Sequence, residues 1–405
     1  MQQSDTVMGD VTQHDGGLDI PELPDPFLPE EDFTMDPNST SPISHLTSSL
    51  SSNQSSASNE EAYIRSYFST YHLLYPFVHE ASFMWQYREI SSVAHHTAWP
   101  ILSNMVVAMG AWSTGEDSCN MNMIYSERAK NCLKQISVLD KGNVTLLQAL
   151  LLLSAYNEKR GNPKESWNFL GLAVRMSIGL GLHRESTYTS SSQSLLEKEI
   201  QRRVWWSVYC TDSCSSKIHG LPLLLPEDRL IAVRPVLNIS DEALTLQTTT
   251  HPPETEDLPI YTGLIQQASY HRLANRIYRR LLSVDQISAQ EMKSLEDMID
   301  NWHINSSRYS LPFNSKQLPE WAILARDRQL LCDRSLRLLV HRPVLLRLLD
   351  KRCISTSIEG VAEDGGLAER QCRVNALHTA RTTIKIVANL ISEGRFLKTT
   401  LSFIL

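Results

Sequence analysis

Apolar residues recur at helical spacing through most of the chain from Tyr63 onward, and this periodicity strongly limits the fold. A β-strand would require alternating apolar and polar residues, and such runs are scarce. Segment 144–156 is apolar nearly all round, which predicts a central helix. Segment 197–212 has one apolar face that includes Trp205, and we expect Arg202 to point away from it. The sequence therefore predicts an all-α fold of mostly antiparallel helices.

Composition agrees with a large helical body that follows an acidic tail. The 405 residues are 42% hydrophobic and 20% charged, which is typical of a globular chain. Residues 1–64 hold twelve acidic side chains and no Lys or Arg, so the formal charge of −7 for the whole chain leaves +5 for the rest. Neither part contains a dense basic stripe. We therefore expect no specific DNA site within this chain.

The tail combines an acidic segment with spaced apolar residues (18–33) and a Ser/Thr-rich segment (38–58). Such a composition cannot bury enough surface to order itself, so residues 1–60 are predicted to be disordered. Two interpretations remain open. The tail is either an activation segment that presents Leu23, Phe27 and Phe33 to a partner, or a solvated extension without a partner.

The seven cysteines are scattered and include no CxxC pair, which favours reduced, buried thiols in the cytosol or nucleus. Cys210 and Cys214, with His219 nearby, have the chemistry to bind a metal, but buried thiols explain this spacing better. We therefore expect no metal or other cofactor in this chain. The densest apolar run, Leu146 to Tyr156, is too short to span a bilayer, and no secretion signal is present.

The sequence contains none of the common catalytic motifs. GxSxG, HExxH and a phosphate loop ending in Gly-Lys-Ser/Thr are all missing. GLGLHR (179–184) lacks the third glycine of a dinucleotide fingerprint and instead indicates the end of a helix. We predict no catalytic residue and no enzyme, although an enzyme with an unrecognised all-α site is the alternative that a cluster of perturbed acids or histidines would support.

Two local patterns predict helix boundaries. Asn162, Pro163 and Glu165 indicate a helix start with a capping box. Leucines spaced by sevens from Leu324 to Leu345 suggest a dimerising zipper, but Arg and Ser occupy the companion core positions. Pro343 would interrupt such a helix, so we expect two shorter packed helices there.

Segment 145–185 followed by 197–228 resembles the fungal-specific transcription factor domain, the middle homology region of zinc-cluster regulators. Segments 235–250 and 260–281 are similar to the galactose and lactose regulator branch. Leu221 departs from the family, which often has Arg between Gly220 and Pro222. We expect structural roles for the signature residues: tryptophans in the core, Arg203 and Asp212 in ion pairs, and His183 at a helix end. The recurrent family positions are Trp167, Gly171, Arg175, Gly181, His183, Arg203, Trp205, Trp206, Asp212, Gly220 and Pro222.

The resemblance implies a nuclear regulator of RNA polymerase II genes in a metabolic or biosynthetic pathway. Its expected partners are other transcription proteins or a repressor, a small-molecule effector, and DNA through a zinc cluster, with no membrane. This sequence contains no such cluster. The family's zinc is expected only in that cluster and not in this chain. Residues 61–405 would form the regulatory domain, and the apolar ending FLKTTLSFIL suggests truncation. The alternative is a helical interaction or effector-binding scaffold that acts without its own DNA-binding module.

Overall fold

The computed structural model describes residues 53–89, 97–115, 120–137, 142–185, 193–254, 258–283, 286–306, 318–355 and 366–394. The acidic segment 1–52 and the C-terminal residues 395–405 lie outside the described residues. The predictions of a disordered tail and of a truncated end therefore remain predictions.

The described residues form helices joined by loops. The only β contact among them is an isolated bridge between Arg184 and Ala232. The all-α prediction is therefore confirmed. Two short 3-10 helices, Asp228–Leu230 and Asp241–Ala243, lie in the long connection between the halves of the body. The α-helices are α1 (Asn53–Ser69), α2 (Tyr71–Leu74), α3 (Glu80–Glu89), α4 (Trp99–Thr114), α5 (Met121–Lys134), α6 (Val144–Lys159), α7 (Pro163–Gly179), α8 (Leu195–His219), α9 (Tyr261–Leu281), α10 (Ala289–Asn305), α11 (Glu320–Ser355) and α12 (Leu367–Ser392).

Helix α1 begins at Asn53, inside the segment whose composition predicted disorder up to residue 60. Its C-terminal half packs into the core through Ile64, Tyr67 and Phe68. The helix contains no Gly or Pro, and adding a turn to a formed helix costs little because nucleation is the costly step. Tertiary packing of the second half therefore explains the earlier start.

The larger core forms around α6, which is buried along nearly its whole length from Leu146 to Asn157, as its apolar pattern predicted. Helices α1 and α4 approach closely at Gly110, where an added Cβ would lie 1.8 Å from the carbonyl oxygen of Tyr63. The smaller core joins α9, α10, α11 and α12 through residues such as Tyr270 and Val340. Helices α9 and α11 contribute residues to both cores.

Helix α11 corrects the prediction of two shorter helices, because it continues from Glu320 to Ser355 with Pro343 inside it. The apolar residues before and after Pro343 pack on the same core, as Val340 and Val344 are both buried. Packing on both sides offsets the loss of one backbone hydrogen bond.

The helix ends follow the sequence signals in part. Asn162 makes no side-chain capping bond, and Glu165 instead pairs with Lys130 at 2.6 Å, so the capping box predicted for α7 is wrong. A complete capping box occurs at α8, between Ser194 and Glu197. The predicted termination after α7 is confirmed, since Gly181 adopts a positive φ of 74°. None of the described helices is both long and apolar enough to cross a membrane.

Candidate functional site

A buried ion-pair network lies along α8. Glu199 is three and four residues from Arg202 and Arg203, so all three side chains share one helix face. Arg202 contacts both Glu199 and Glu185. It is therefore buried, and the expectation that it points away from the core is wrong. The chain after α7 and the connection after α8 fold over this face and supply carboxylates, which a helical pattern alone does not reveal.

Arg203 is the centre of this network. Its guanidinium contacts Glu199 at 3.2 Å and Asp241 at 2.7 Å, and it lies 3.5 Å from the centroid of the Tyr261 ring. The hydroxyl of Tyr261 in turn donates to Asp241 at 2.5 Å. Arg203 therefore ties α8 to both the 3-10 helix Asp241–Ala243 and the start of α9.

The pKa values of the carboxyl groups reflect this arrangement. Burial raises the pKa of Glu199, although the charges of Arg203 and Arg202 oppose that rise. Burial would also raise the pKa of Asp241, but the charge of Arg203 and the hydrogen bonds from Tyr261 and Arg203 hold it below its usual value. Asp241 is therefore ionised at neutral pH.

A cleft of about 1130 Å³ opens beside this network, between α3, α6, the start of α8 and the 3-10 helix Asp241–Ala243. Asp241 belongs to both the cleft wall and the network. The cleft wall also carries Glu80 and Glu242, and burial followed by the charges of Asp241 and Glu242 raises the pKa of Glu80. The cleft is therefore rich in hydrogen-bond acceptors.

His79 lies on the cleft wall, and its Nε2 is buried without a hydrogen-bond partner among the described residues. Its Nδ1 accepts the backbone N–H of Ser82 at 3.3 Å, and burial lowers the pKa of His79, so the neutral ring carries its proton on Nε2. That Nε2 lies 3.9 Å from Oδ2 of Asp241. This separation exceeds the length of a hydrogen bond. A donor and a carboxylate acceptor therefore face each other across a gap that one hydroxyl group would bridge.

Two glutamines add unpaired acceptors. The Oε1 atoms of Gln193 and Gln201 are buried and have no hydrogen-bond partner among the described residues. Both side chains line the cleft. Buried amide oxygens in a native protein normally have a partner, so these two favour a ligand or ordered solvent that donates hydrogen bonds.

Several family signature residues are buried or hydrogen-bonded within the helical body. Trp205 is fully buried, and the indole N–H of Trp206 donates to the carbonyl of Arg234 at 2.8 Å. Asp212 makes no ion pair with another described residue and instead accepts the backbone N–H groups of Leu224 and Leu225. The expectation of an ion pair at Asp212 is therefore wrong, because the chain after α8 turns back and supplies backbone donors. Burial raises the pKa of Asp212 to about 6, although these hydrogen bonds oppose the rise.

The other signature positions are spread over the body and do not form one site. Arg175 and Pro222 are exposed, and Trp167 is half-buried. An added Cβ at Gly171 would meet no atom within 4 Å, so no close packing requires this glycine. Gly220 ends α8 with a φ of 67°. His183 lies with its ring 6.1 Å from that of Trp205, and burial followed by the charge of Arg184 lowers its pKa.

The structure does not bring Cys210, Cys214 and His219 together as one cluster. His219 pairs with Glu158 at 2.9 Å. Cys214 instead meets His271 of α9 and Cys332 of α11. No local spacing could identify this set, because its members come from three separate helices. The same holds for His79 and Asp241, which the sequence analysis missed.

The described residues thus combine helices, a buried charge network and a cleft lined by both apolar and acidic side chains. A family model described as the fungal specific transcription factor domain matches residues 64–304, more than half of the chain. The chain therefore belongs to this family, as its motifs predicted, and forms a fungal transcription factor regulatory region.

Relatives with curated names support this assignment. The chain is 30% identical over 305 residues to the lactose regulatory protein LAC9 of Kluyveromyces lactis, which covers 72% of this chain and 32% of that protein. It is 27% identical to the transcription factor FBD3 of Gibberella moniliformis, covering 42% of this chain and 23% of that protein. It is 26% identical to the protein STB5 of Saccharomyces cerevisiae, covering 55% and 30%. The chain thus spans about a third or less of each. No solved structure matches the chain.

Proposed function

We propose that this chain is the effector-responsive region of a nuclear regulator of RNA polymerase II genes, and that the cleft beside Asp241 is its effector site. The observation that carries the proposal is the 3.9 Å gap between Nε2 of His79 and Oδ2 of Asp241. A hydroxyl group in this gap accepts from the imidazole and donates to the carboxylate.

The lining of the cleft supports a small hydroxyl-rich ligand. Gln193 and Gln201 line the cleft and hold buried acceptors that lack partners among the described residues, and Glu80 and Glu242 add carboxyl groups. These groups favour a molecule with several hydrogen-bond donors and oppose an anion. Trp85, whose side chain is 65% exposed on the lining, supplies an apolar face for a sugar-like ring. The name of LAC9 refers to lactose, and mono- and disaccharides are the first class to test.

Asp241 connects ligand binding in the cleft to helices α8 and α9. Because this carboxylate also holds Arg203 and the hydroxyl of Tyr261, a ligand that draws on Asp241 weakens its bonds to α8 and α9. A differential interaction of this kind is what a ligand needs to shift a conformational equilibrium. Transcription proteins or a repressor would bind the two conformations with different affinities. A zinc cluster, on a longer chain or on a separate protein, would bind DNA.

The experiment combines binding with a reporter. Calorimetry on the purified chain tests mono- and disaccharides, lactose among them, beside matched carboxylic acids. The chain is also fused to a heterologous DNA-binding module, and reporter output is measured with and without the bound sugar. We expect Asp241→Asn and Gln201→Leu to reduce binding and response, while Asp297→Asn, in an exposed pair on α10, leaves both unchanged.

The results separate the proposal from its alternatives. Binding of acids in preference to sugars, or sugar binding unaffected by Asp241→Asn and Gln201→Leu, would contradict the effector site. A fusion with no activity under any condition would favour a scaffold that acts without a DNA-binding module.

A further inference from the structure

A second cluster of polar side chains lies between the two cores, where α8, α9 and α11 meet. Cys214, His271 and Cys332 each direct one potential ligand atom to the same point, and these atoms all lie within 4.8 Å of one another. Sγ of Cys214 is 3.4 Å from Nε2 of His271. Cys214 and His271 are buried and Cys332 is half-buried.

The tautomer of His271 follows from the partners of Ser213. The Ser213 hydroxyl donates to Oδ1 of Asn275 and accepts from the ammonium of Lys217. With the Asn275 amide in this orientation the one hydroxyl proton is used, so Nδ1 of His271 donates in the 2.9 Å contact with Ser213. In the neutral ring, Nε2 then carries a lone pair that faces Cys214. A metal-binding histidine is usually oriented in this way, by a hydrogen bond from its other nitrogen.

The lone pair on Nε2 of His271 faces the amide oxygen of Gln267 as well as Cys214. Oε1 of Gln267 lies 3.2 Å from Nε2 of His271, and the nitrogen of the same amide donates to Oε1 of Gln329 at 2.6 Å; this orientation leaves Nε2 of Gln329 without a partner among the described residues. Two acceptors at this distance repel each other unless a proton or a cation lies between them. A cation at this point would contact an imidazole nitrogen, an amide oxygen and two sulfurs.

The donor set suits a soft cation. Two thiols and an imidazole are ligands that zinc prefers, and metal binding releases the protons of the two thiols. Arg328 and Lys217 are the positive groups near the cluster.

We propose that Cys214, His271 and Cys332 form a binding site for a thiophilic metal ion, Zn²⁺, with Gln267 as an oxygen ligand. Tetrahedral zinc places sulfur and nitrogen ligands about 3.5 Å apart and two sulfurs about 3.8 Å apart. The 3.4 Å contact between Cys214 and His271 already matches the first value. Since all three atoms lie within 4.8 Å of one another, no pair needs to close by more than about 1.3 Å. The ion would join α8 to α9 and α11.

The test uses the full chain, purified under reducing conditions without a metal-affinity step and then titrated with ZnCl₂. We expect about one zinc per chain by elemental analysis and, with CoCl₂ in its place, a thiolate-to-cobalt absorption band. Cys214→Ala and Cys332→Ala should lose both signals. Cys210→Ala is the matched control, because Cys210 is equally buried one helical turn before Cys214 and lies outside the cluster. Ser213→Ala should weaken zinc binding about 10- to 100-fold by freeing the imidazole.

A second measurement does not depend on the folding of a variant. In the unmodified chain, zinc should slow alkylation of Cys214 and Cys332 and leave Cys210 unaffected, as mass spectrometry of tryptic peptides would show. Equal alkylation with and without zinc would overturn the proposal, as would equal loss of metal in the Cys210→Ala chain. A crystal grown with ZnCl₂ that shows an empty site, with the amides of Gln267 and Gln329 reversed, would also overturn it.

Discussion

Replacement of Arg203 by Met tests whether the buried network holds the body together. The side chain of Arg203 is 1% exposed and contacts Glu199, Asp241 and the ring of Tyr261. Methionine keeps much of the volume but leaves Asp241 without its cation. Removal of one partner from a buried ion pair costs about 3–5 kcal/mol, because the remaining charge stays buried. We expect the free energy of unfolding to fall by that amount at neutral pH.

The matched control is Arg234→Met. Arg234 also pairs with a glutamate, Glu185, at 2.6 Å, but its side chain is 67% exposed. Exposed pairs contribute about 0–1 kcal/mol, so this substitution should change the free energy of unfolding by no more than that. The two variants therefore compare a buried arginine that has several partners with an exposed one that pairs with Glu185.

Urea denaturation followed by far-ultraviolet circular dichroism measures both variants, and an unchanged slope would show that the unfolded states are comparable. The double variant Glu199→Gln and Arg203→Met should cost less than the sum of the single variants, because the two side chains contact each other and their interaction is lost only once. If Arg203→Met and Arg234→Met cost the same, the network makes no special contribution and the reasoning fails.

Three further predictions concern packing and pH. Trp205→Ala should cost about 3–5 kcal/mol, whereas Trp85→Ala, at a 65% exposed position, should cost less than about 0.5 kcal/mol; a Trp205→Ala chain that keeps its melting temperature but loses regulation would indicate a binding role. Gly110→Ala should cost at least about 1–3 kcal/mol because of the clash with Tyr63, whereas Gly171→Ala should stabilise the chain by about 0.5–1 kcal/mol; similar melting temperatures for both would contradict the packing at Gly110. The hydrogen bond with Glu158 raises the pKa of His219, so this pair should stabilise the chain fully below about pH 6.5 and lose its effect as pH rises through the raised pKa; a constant difference from His219→Gln between pH 5 and pH 9 would refute this.

Local sequence patterns predicted both the all-α fold class and the family. Spacing at 3.6 residues, the apolar surface of α6 and the glycines that end α7 and α8 act within a few residues, so the sequence determined them alone. The same local information was misleading where a distant partner competed. Glu165 pairs with Lys130 of α5 and does not complete a cap, and Pro343 remains inside a helix held on both sides by packing.

Only the tertiary structure decided which polar side chains meet. Arg202 and Arg203 became buried because the connections after α7 and α8 bring Glu185 and Asp241 over one face of α8. The cleft and the Cys214 cluster likewise combine side chains from helices that are far apart in the sequence. A helical pattern specifies which face is apolar, but many packings bury that face equally well. The partners of buried polar groups depend on the one packing that also satisfies their charges and hydrogen bonds.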